Sequence, residues 1–375
     1  MRLICIGDIH AAIYKRYPET APDGTNLRLL DIVNELDRIR GLCVKNKVET
    51  VCFLGDIFDT RNTLDVVVLN AVYKALMAMS ASGLRLVLLV GNHDRCDTGK
   101  EHSLEVFKPF CEVVDTPRVL PLEDGNIVAI PFHPNLSVVS RAIKQLVTSD
   151  TRLLLLHGMI KGTLLPNATV LDHGIPLAAV PEHVLCLAGD IHLHQQLRER
   201  VFYVGSLLQK DAGDKGQEKF FAFYDTAVDK LRWQRTFGPK FVNTDVLFLP
   251  NVENRDGVYS QEEFCSVYQE RVQGNFVTVG KLPPDCFDAG LVERELLKLG
   301  ARHVEMALTT QMPIVPPRLL EPETPIAVTT QVISEYVEEA QTDLDKADLV
   351  EEGLAIVERV SGLDDIDDEV IVEIN

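Results

Sequence analysis

The sequence predicts an α/β protein whose open sheet carries a second, more antiparallel sheet packed against it. Apolar strand-like runs alternate with helical periodicity from Arg2 to Val90. Each run ends in a small cluster of polar residues, where open α/β sheets place their chemistry. After residue 200 the helical pattern stops, while strand-like runs continue.

Taken in order, the run Arg2 to Ile6 reads as a strand ending at Gly7-Asp8-Ile9-His10. Leu27, Leu30, Ile32, Val33, Leu36 and Ile39 form an apolar stripe, so residues 26–47 read as a helix. Val51 to Leu54 is the next strand, ending at Gly55-Asp56. A helix follows Asn62, a residue type suited to the N-cap, and the strand Leu84 to Val90 ends at Gly91-Asn92-His93-Asp94. The alternation continues through the strand Ile127–Pro131, a helix near 136–147, and the strands Leu153–Leu156 and Val184–Ala188. Val201–Val204, Phe220–Tyr224 and Leu231–Phe237 then read as consecutive strands, the expected second sheet.

Near residue 240 the texture changes. Phe241–Leu249 reads as a strand, and Ser260 with Glu263 as a capping box for a helix to about Gln273. Phe276–Val279 is another strand. A helix over 290–299 ends at Gly300, a C-cap residue type, before the strand His303–Leu308. Residues 239–312 thus form a small α/β module, and 1–238 the main domain. Five prolines between Pro313 and Pro325 mark a linker, 313–326. Residues 327–362 hold two amphipathic helical stretches, 328–342 and 346–360, as a hairpin. Residues 363–375 are an acidic tail of disordered composition.

The net charge of −19 is unevenly placed: from residue 319 onward there are 17 acidic and 2 basic residues. The rest of the chain carries only −4, so the total does not exclude a nucleic-acid substrate for the body. No run of about 18 apolar residues exists, so no membrane span is expected. The start, Met-Arg-Leu-Ile-Cys, has no basic leader, and the eight cysteines form no CxxC pair. A reduced, cytoplasmic protein is the expectation.

Five strand ends deliver metal-type ligands: Asp8 and His10; Asp56; Asn92 with His93 and Asp94; His157; and Asp190 with His192. A dinuclear hydrolytic centre needs such a set. One carboxylate bridges two cations about 3.5–4 Å apart, and the other oxygens and imidazoles complete each sphere. Mixed Asp, His and Asn ligation suits Mn²⁺, Fe or Zn²⁺ better than Ca²⁺. Each fragment alone is common, and a lone histidine after a strand is more often a satisfied polar group. The ordered series of five is not an accident of composition. Asp59 reads either as a support for a ligand or as a helix-start acid. Arg61 and Arg95, just after metal motifs, are candidate phosphate contacts. Lys210, Lys215 and His133 are weaker candidates, and His102, His173, His183 and His303 read as ordinary polar positions.

These motifs resemble the calcineurin-like metallophosphoesterase superfamily, and within it the SbcD-type nuclease subunits of double-strand-break repair, phage versions included. Phe202-Tyr203-Val204-Gly205-Ser206 is similar to that branch's Y-x-GS strand. The motif match covers residues 1–206; beyond it, only layout and composition match. The resemblance implies two mixed β-sheets sandwiched between helices, a DNA-capping module at 239–312, and a hairpin that binds the coiled coil of an SMC-like (SbcC-type) ATPase. It also implies a homodimer in a bacterial or phage-infected cell. By the same resemblance Asp8, His10, Asp56 and His192 bind one metal, with Asp56 bridging, while Asn92, His157 and Asp190 complete the second. Mn²⁺ is the expected metal, with Mg²⁺ as second choice. His93 is the implied proton donor or transition-state stabiliser, and Asp94 orients it. The sequence departs from the family at Gly189-Asp190-Ile191-His192, where Gly-His-x-His is usual. A register using His192 and His194 stays open beside the one using Asp190 and His192. Two other readings also stay open: a phosphoesterase for proteins or nucleotides, and a non-catalytic scaffold for the ATPase.

Overall fold

The computed structural model describes residues 1–14, 20–21, 24–97, 101–165, 169–244, 247–248, 258–259, 269–279 and 289–306, together with Val350. The chain divides into two compact units, Met1–Thr309 and Thr310–Asn375, and the elements below belong to the first. The expected linker, hairpin helices and acidic tail lie outside the described residues, as do the capping-box residues Ser260 and Glu263.

In chain order the main body runs β1 (Arg2–Ile6), α1 (Leu27–Asn46), β2 (Thr50–Phe53), α2 (Val66–Ala81), β3 (Arg85–Leu89), β4 (Glu112–Val114), β5 (Arg118–Leu122) and β6 (Gly125–Ile130). It continues with α3 (Leu136–Leu146), β7 (Thr151–His157), β8 (Leu185–Gly189), β9 (Gln195–Arg198), β10 (Val201–Tyr203), β11 (Phe220–Asp225) and β12 (Lys230–Arg235). Among the described residues these strands make two six-stranded mixed sheets, ordered β12-β11-β1-β2-β3-β4 and β5-β6-β7-β8-β10-β9.

This partition corrects the sequence reading. β6, β7 and β8 do not extend the first sheet; they form the centre of the second. The strands after residue 200 do not make a sheet of their own. β10 joins the second sheet beside β8, and β11 returns to pair antiparallel with β1 (Arg2 opposite Asp225), with β12 outside it.

Strand alternation explains the layers. Ile4, Ile6, Val51, Phe53, Leu86 and Leu88 face α1 and α2 in one buried cluster. Their neighbours Leu3, Cys5, Cys52, Leu54, Val87 and Leu89 face Ile127, Ala129, Leu153, Leu155, Leu185 and Leu187 across the sheet–sheet layer. Val128, Ile130, Leu154, Leu156, Cys186 and Ala188 pack on α3. Both faces of every central strand are therefore covered, which is why these strands read as unbroken apolar runs.

Two helix starts are capped as their residue types suggest. Asn26 accepts the Leu29 N–H at 3.2 Å, and Asn135 accepts the Ser137 N–H at 2.9 Å. The cap of α2 is Asp65, which accepts the Val67 N–H at 2.7 Å; the expected cap, Asn62, bonds Asp97 instead.

The small module contains β13 (Phe241–Thr244), β14 (Leu247–Phe248), β15 (Val258–Tyr259), β16 (Phe276–Val279), α4 (Ala289–Lys298) and β17 (His303–Met306). The single strand expected over Phe241–Leu249 is two: β13 pairs with β16, and β14 with β15. Gly300 ends α4 at φ +90°, where the Ala301 N–H reaches the Leu296 carbonyl and the Gly300 N–H the Leu297 carbonyl. Arg28, almost fully buried, lies over the rings of Phe241 and Phe276 and donates to the Gln209 carbonyl at 2.6 Å.

One close approach fixes the floor of the site. A methyl group on Gly7 would stand 1.9 Å from the Gly205 carbonyl oxygen, and two residues on, the Leu207 N–H bonds the Asp8 carbonyl at 2.8 Å. Gly7→Ala is expected to cost about 3 kcal/mol, because backbone on both sides must move. Urea unfolding would read this as a lower midpoint at constant m-value; an unchanged midpoint would mean that the Gly205 loop yields freely.

Candidate metal centre

The five ligand loops leave the carboxyl ends of β1, β2, β3, β7 and β8, so both sheets contribute to one site. Three of the expected ligands hold left-handed backbone: His10 at φ +50°, Asp56 at +50° and Asp190 at +96°. Such conformations cost energy in residues other than glycine, and they persist where surrounding contacts over-determine them. Here the Ile9 and His10 N–H groups both bond the Asp56 carbonyl, at 3.0 and 2.9 Å. The Asp190 N–H bonds Asp8 Oδ1 at 3.0 Å, and the His93 N–H bonds Asp56 Oδ1 at 2.9 Å.

The side chains converge on Asp56. It belongs to both of the ligand groups in the site, Asp8–Asp56–His157 and His10–Asp56–His93. His157 Nε2 is 3.5 Å from Asp56 Oδ1, 3.9 Å from Asp190 Oδ1 and 2.9 Å from the Asn92 carboxamide. His157 Nδ1 lies 2.6 Å from the Leu54 carbonyl, an acceptor that fixes the tautomer and leaves Nε2 free for a ligand role. On the other side, His10 Nε2 is 3.7 Å from Asp56 Oδ2 and 2.9 Å from His192 Nε2.

The donor set fits a pair of cations. Asp8, Asp56, Asp94 and His157 are all buried, and the Asp190 carboxylate has one buried oxygen without a hydrogen-bond partner. The Asn92 carboxamide stands among three acceptors: His157 Nε2 at 2.9 Å, Asp56 Oδ2 at 3.2 Å and Asp190 Oδ1 at 3.3 Å. The facing Nε2 atoms of His10 and His192 can bond each other only if one ring carries its proton on Nε2; with both protons on Nδ1, two lone pairs face each other at 2.9 Å. Lone pairs crowded this way are stabilised by positive charge.

The titration behaviour follows from burial and from the crowded carboxylates. Burial, aided by Asp56 and Asp190, pushes Asp8 up to about 7, and burial with Asp56 does the same to Asp94. For His157 burial favours the neutral ring, but the Asp56, Asp190 and Asp8 carboxylates outweigh it and raise the group to about 9. His192 goes the other way, down to about 2 through burial and its neighbour His10. Burial lowers His10 as well.

These directions set a pH dependence in chelator. Below pH 6.5 the neutral imidazoles of His10 and His192 favour higher pH, while the raised carboxylates favour lower pH. Above pH 6.5 Asp8 and Asp94 lose the rest of their contribution as pH passes 7, and beyond that the His157 contribution decides. It is fully present below the ordinary value of 6.5 and is lost as pH rises through 9. Metal-free protein should therefore melt roughly 5–10 °C lower at pH 9 than at pH 7. Because cations bind the deprotonated set, the rise in melting temperature on adding Mn²⁺ should grow over the same interval. Scanning fluorimetry with chelator and with Mn²⁺ reads both, and a flat metal-free profile would remove His157 from the proton-linked group.

The structure brings Asp8, His10, Asp56, Asn92, His93, His157, Asp190 and His192 together. It does not bring His194 there: Nδ1 is 3.0 Å from the Tyr203 carbonyl, and the ring packs on Phe220 and Trp233. Asp190 and His192 are thus the pair the geometry favours.

Asp94 corrects an expectation about its role. Its carboxylate accepts from the Ile57, Phe58 and Gly91 N–H groups at 3.0, 3.3 and 2.9 Å, clamping the Asp56 loop to the Asn92 loop. The ring of His93 is oriented by another group, the Asp59 carbonyl, 2.7 Å from Nδ1. Arg61 is exposed and 3.8 Å from Asp97, and Arg95 donates to the Asp115 carbonyl at 2.7 Å. His133 turns to the backbone of Asn135. Sequence reading missed Lys219, a buried ammonium that donates to the His192 carbonyl at 2.8 Å beside Asp214. Its only signal is a charge at the start of an apolar strand.

The family model described as calcineurin-like phosphoesterase matches residues 1–192, which end on the last of these ligands. The chain belongs to that family. A calcineurin-like phosphoesterase is a metal-dependent phosphoester hydrolase, and the two mixed sheets with helices outside are its fold. Exonuclease subunit 1 of Enterobacteria phage T4 is 24% identical over 196 residues, covering 50% of this chain and 56% of that relative. The chain thus spans little more than half the length of that curated relative. Among solved structures, a dimetal phosphatase from Danio rerio overlaps 63% of this chain and 96% of its own, at 12% identity and TM-score 0.38. The Pseudomonas putida nuclease MPE overlaps 53% and 66%, at 18% identity and TM-score 0.25. Among the described residues no helix is long and apolar enough to cross a membrane.

Proposed function

We propose that this calcineurin-like phosphoesterase is the nuclease subunit of a DNA recombination and repair complex. It cuts DNA as exonuclease and endonuclease, pairs as a homodimer, and works with an SMC-like ATPase bound through residues 327–362. Residues 239–312 cap the DNA over the site, and residues 313–326 link module to hairpin. The observation that carries the phosphodiesterase reading is Asp56, shared by two buried ligand groups with His93 beside it. The name of the phage relative, an exonuclease subunit, supports DNA as substrate and membership of a complex. The exposed apolar residues Val66, Val67 and Met77 on α2 support pairing of two copies.

Asp8, His10, Asp56 and His192 hold one cation, and Asn92, His157 and Asp190 complete the second, with Asp56 common to both. The mixed oxygen and nitrogen donors favour Mn²⁺, with Mg²⁺ as the alternative. When bound, the pair supplies water activation and charge neutralisation at the phosphoryl oxygens. The chain supplies position. Asp94 holds two ligand loops at fixed spacing, the Leu54 and Asp59 carbonyls fix two imidazole tautomers, and His93 delivers a proton to the leaving oxygen.

The test is degradation of linear duplex DNA by the purified chain with Mn²⁺ and with chelator. Loss of DNA only with Mn²⁺ supports the nuclease. Hydrolysis of bis-p-nitrophenyl phosphate without DNA cleavage moves the substrate to another phosphoester, and inactivity on both leaves a scaffold. Truncation after residue 312 should spare the small substrate and uncouple the ATPase.

A further inference from the structure

The metal ligand His10 and the proton donor His93 come from different strands, yet both rings rest on one residue. Asp59 Oδ1 lies 3.1 Å from His10 Nδ1, and the Asp59 carbonyl lies 2.7 Å from His93 Nδ1. Asp59 itself follows β2 on a loop whose neighbours Asp56 and Ile57 are bonded to the His10 strand end, and the Asp59 N–H reaches the Ala11 carbonyl at 3.3 Å. Among the described residues, Asp59 Oδ1 also lies 2.6 Å from the Lys210 ammonium.

Lys210 is not a loose surface lysine that happens to fall there. Its N–H donates to Asp214 Oδ2 at 2.8 Å. The preceding residue, Gln209, is held on three sides: its carbonyl by buried Arg28 at 2.6 Å, its Oε1 by the Phe241 N–H at 2.6 Å, and its Nε2 by the Gln217 carbonyl at 2.8 Å. The Lys210 side chain is only 23% exposed. A fixed backbone thus delivers a cation to Asp59 Oδ1, the same oxygen that faces His10 Nδ1.

We propose that Lys210 is a positioning residue of the metal centre, holding the Asp59 carboxylate against His10 Nδ1 and, through the same residue, the frame on which His93 rests. This rests on the two-metal reading above. With Asp59 facing Nδ1, the proton of neutral His10 sits on that nitrogen, and the Nε2 lone pair is presented toward His192 and Asp56. Without the ammonium, an uncompensated carboxylate in a half-buried loop would turn toward water, and the His10 ring would lose its support, while His93 would feel only what shift the Asp59 backbone makes. A stability role alone predicts little, because partly exposed ion pairs contribute weakly to folding.

The experiment compares the full chain with its Lys210→Met, Lys210→Arg and Asp59→Asn variants, all stripped of metal. Mn²⁺ is titrated by calorimetry, and kcat and KM are measured on bis-p-nitrophenyl phosphate. The wild type should take two equivalents. In Lys210→Met one site should weaken about tenfold, within the range for loss of a ligand's supporting partner. Its kcat should fall by a similar factor at unchanged KM, Asp59→Asn should do the same, and Lys210→Arg should recover most of both. Wild-type Mn²⁺ affinity in Lys210→Met and Asp59→Asn overturns the proposal, whatever the rate does. So does an effect confined to KM, which would make Lys210 a substrate contact. If Lys210→Met does not fold, the affinity of Asp59→Asn decides alone. Fewer than two equivalents in the wild type overturns the two-metal reading instead, and is seen before any variant is compared.

Discussion

Asp56→Asn should abolish hydrolysis and at the same time make the metal-free protein harder to melt. The substitution is nearly isosteric and keeps an oxygen for the His93 N–H, 2.9 Å from Oδ1. What it removes is charge at the one residue shared by both ligand groups. The Lewis-acid contribution of a bound cation is several kcal/mol, so losing the carboxylate common to both groups should lower kcat at least about 10³-fold. In the metal-free state Asp56 is one of four acidic side chains packed with a single favourably charged partner, and it pushes Asp8 and Asp94 upward. Removing it relieves that repulsion. At pH 8 His157 still carries its proton and Asp56 is the strongest attraction on it, so the repulsion is read alone only above pH 9; there, in chelator, the melting temperature of Asp56→Asn should rise by several degrees. The wild type gains about 4 kcal/mol, roughly 10 °C, from Mn²⁺ at 1,000 times its Kd, and that gain should vanish in the variant. A variant that melts like wild type with and without Mn²⁺ would take Asp56 out of the centre.

That trade between stability and activity explains why the ligand set was readable in the sequence. Buried carboxylates are rare without partners, so Asp8, Asp56 and Asp190, each directly behind an apolar strand, had to share a cation or be misread as surface. Their glycines carry a second signal. Gly7, Gly55, Gly91 and Gly189 precede ligand residues, and a methyl on Gly91 would meet Asp56 Oδ1 at 2.1 Å. The contest between Asp190 and His194 was not readable, because both residues follow the same strand. Trp233 and Phe220 decided it by taking the His194 ring, and they arrive from strands some 25 to 40 residues later.

Which strands join which of the two sheets was equally hidden. Strands covered on both faces look alike whichever sheet they join, and the pairing of Arg2 with Asp225 leaves no local trace. Nothing local in the sequence separates a buried charge from a solvent-facing one, which concealed Arg28 beneath the small module and Lys219 beneath His192. The role of Asp94 was carried over from the resemblance, whereas here its buried carboxylate lies at a loop crossing and is satisfied by backbone N–H groups.

His93→Ala separates proton delivery from metal binding. The ring is only half-buried, and its Nδ1 is tied to the Asp59 carbonyl, so Nε2 is the nitrogen left to face the leaving group. Its backbone N–H, not its ring, is the group that supports Asp56, and alanine keeps that N–H. Mn²⁺ stoichiometry and affinity should therefore stay within a few-fold of wild type. The rate should fall about 10²- to 10⁴-fold, the usual contribution of a general acid. The loss should also depend on the leaving group. DNA, whose alkoxide leaving group needs a proton, should suffer the larger loss. Bis-p-nitrophenyl phosphate, whose phenolate leaves unaided, should suffer much less. Equal losses on the two substrates would assign His93 to charge stabilisation of the phosphoryl group instead, and weakened Mn²⁺ binding would make it a ligand.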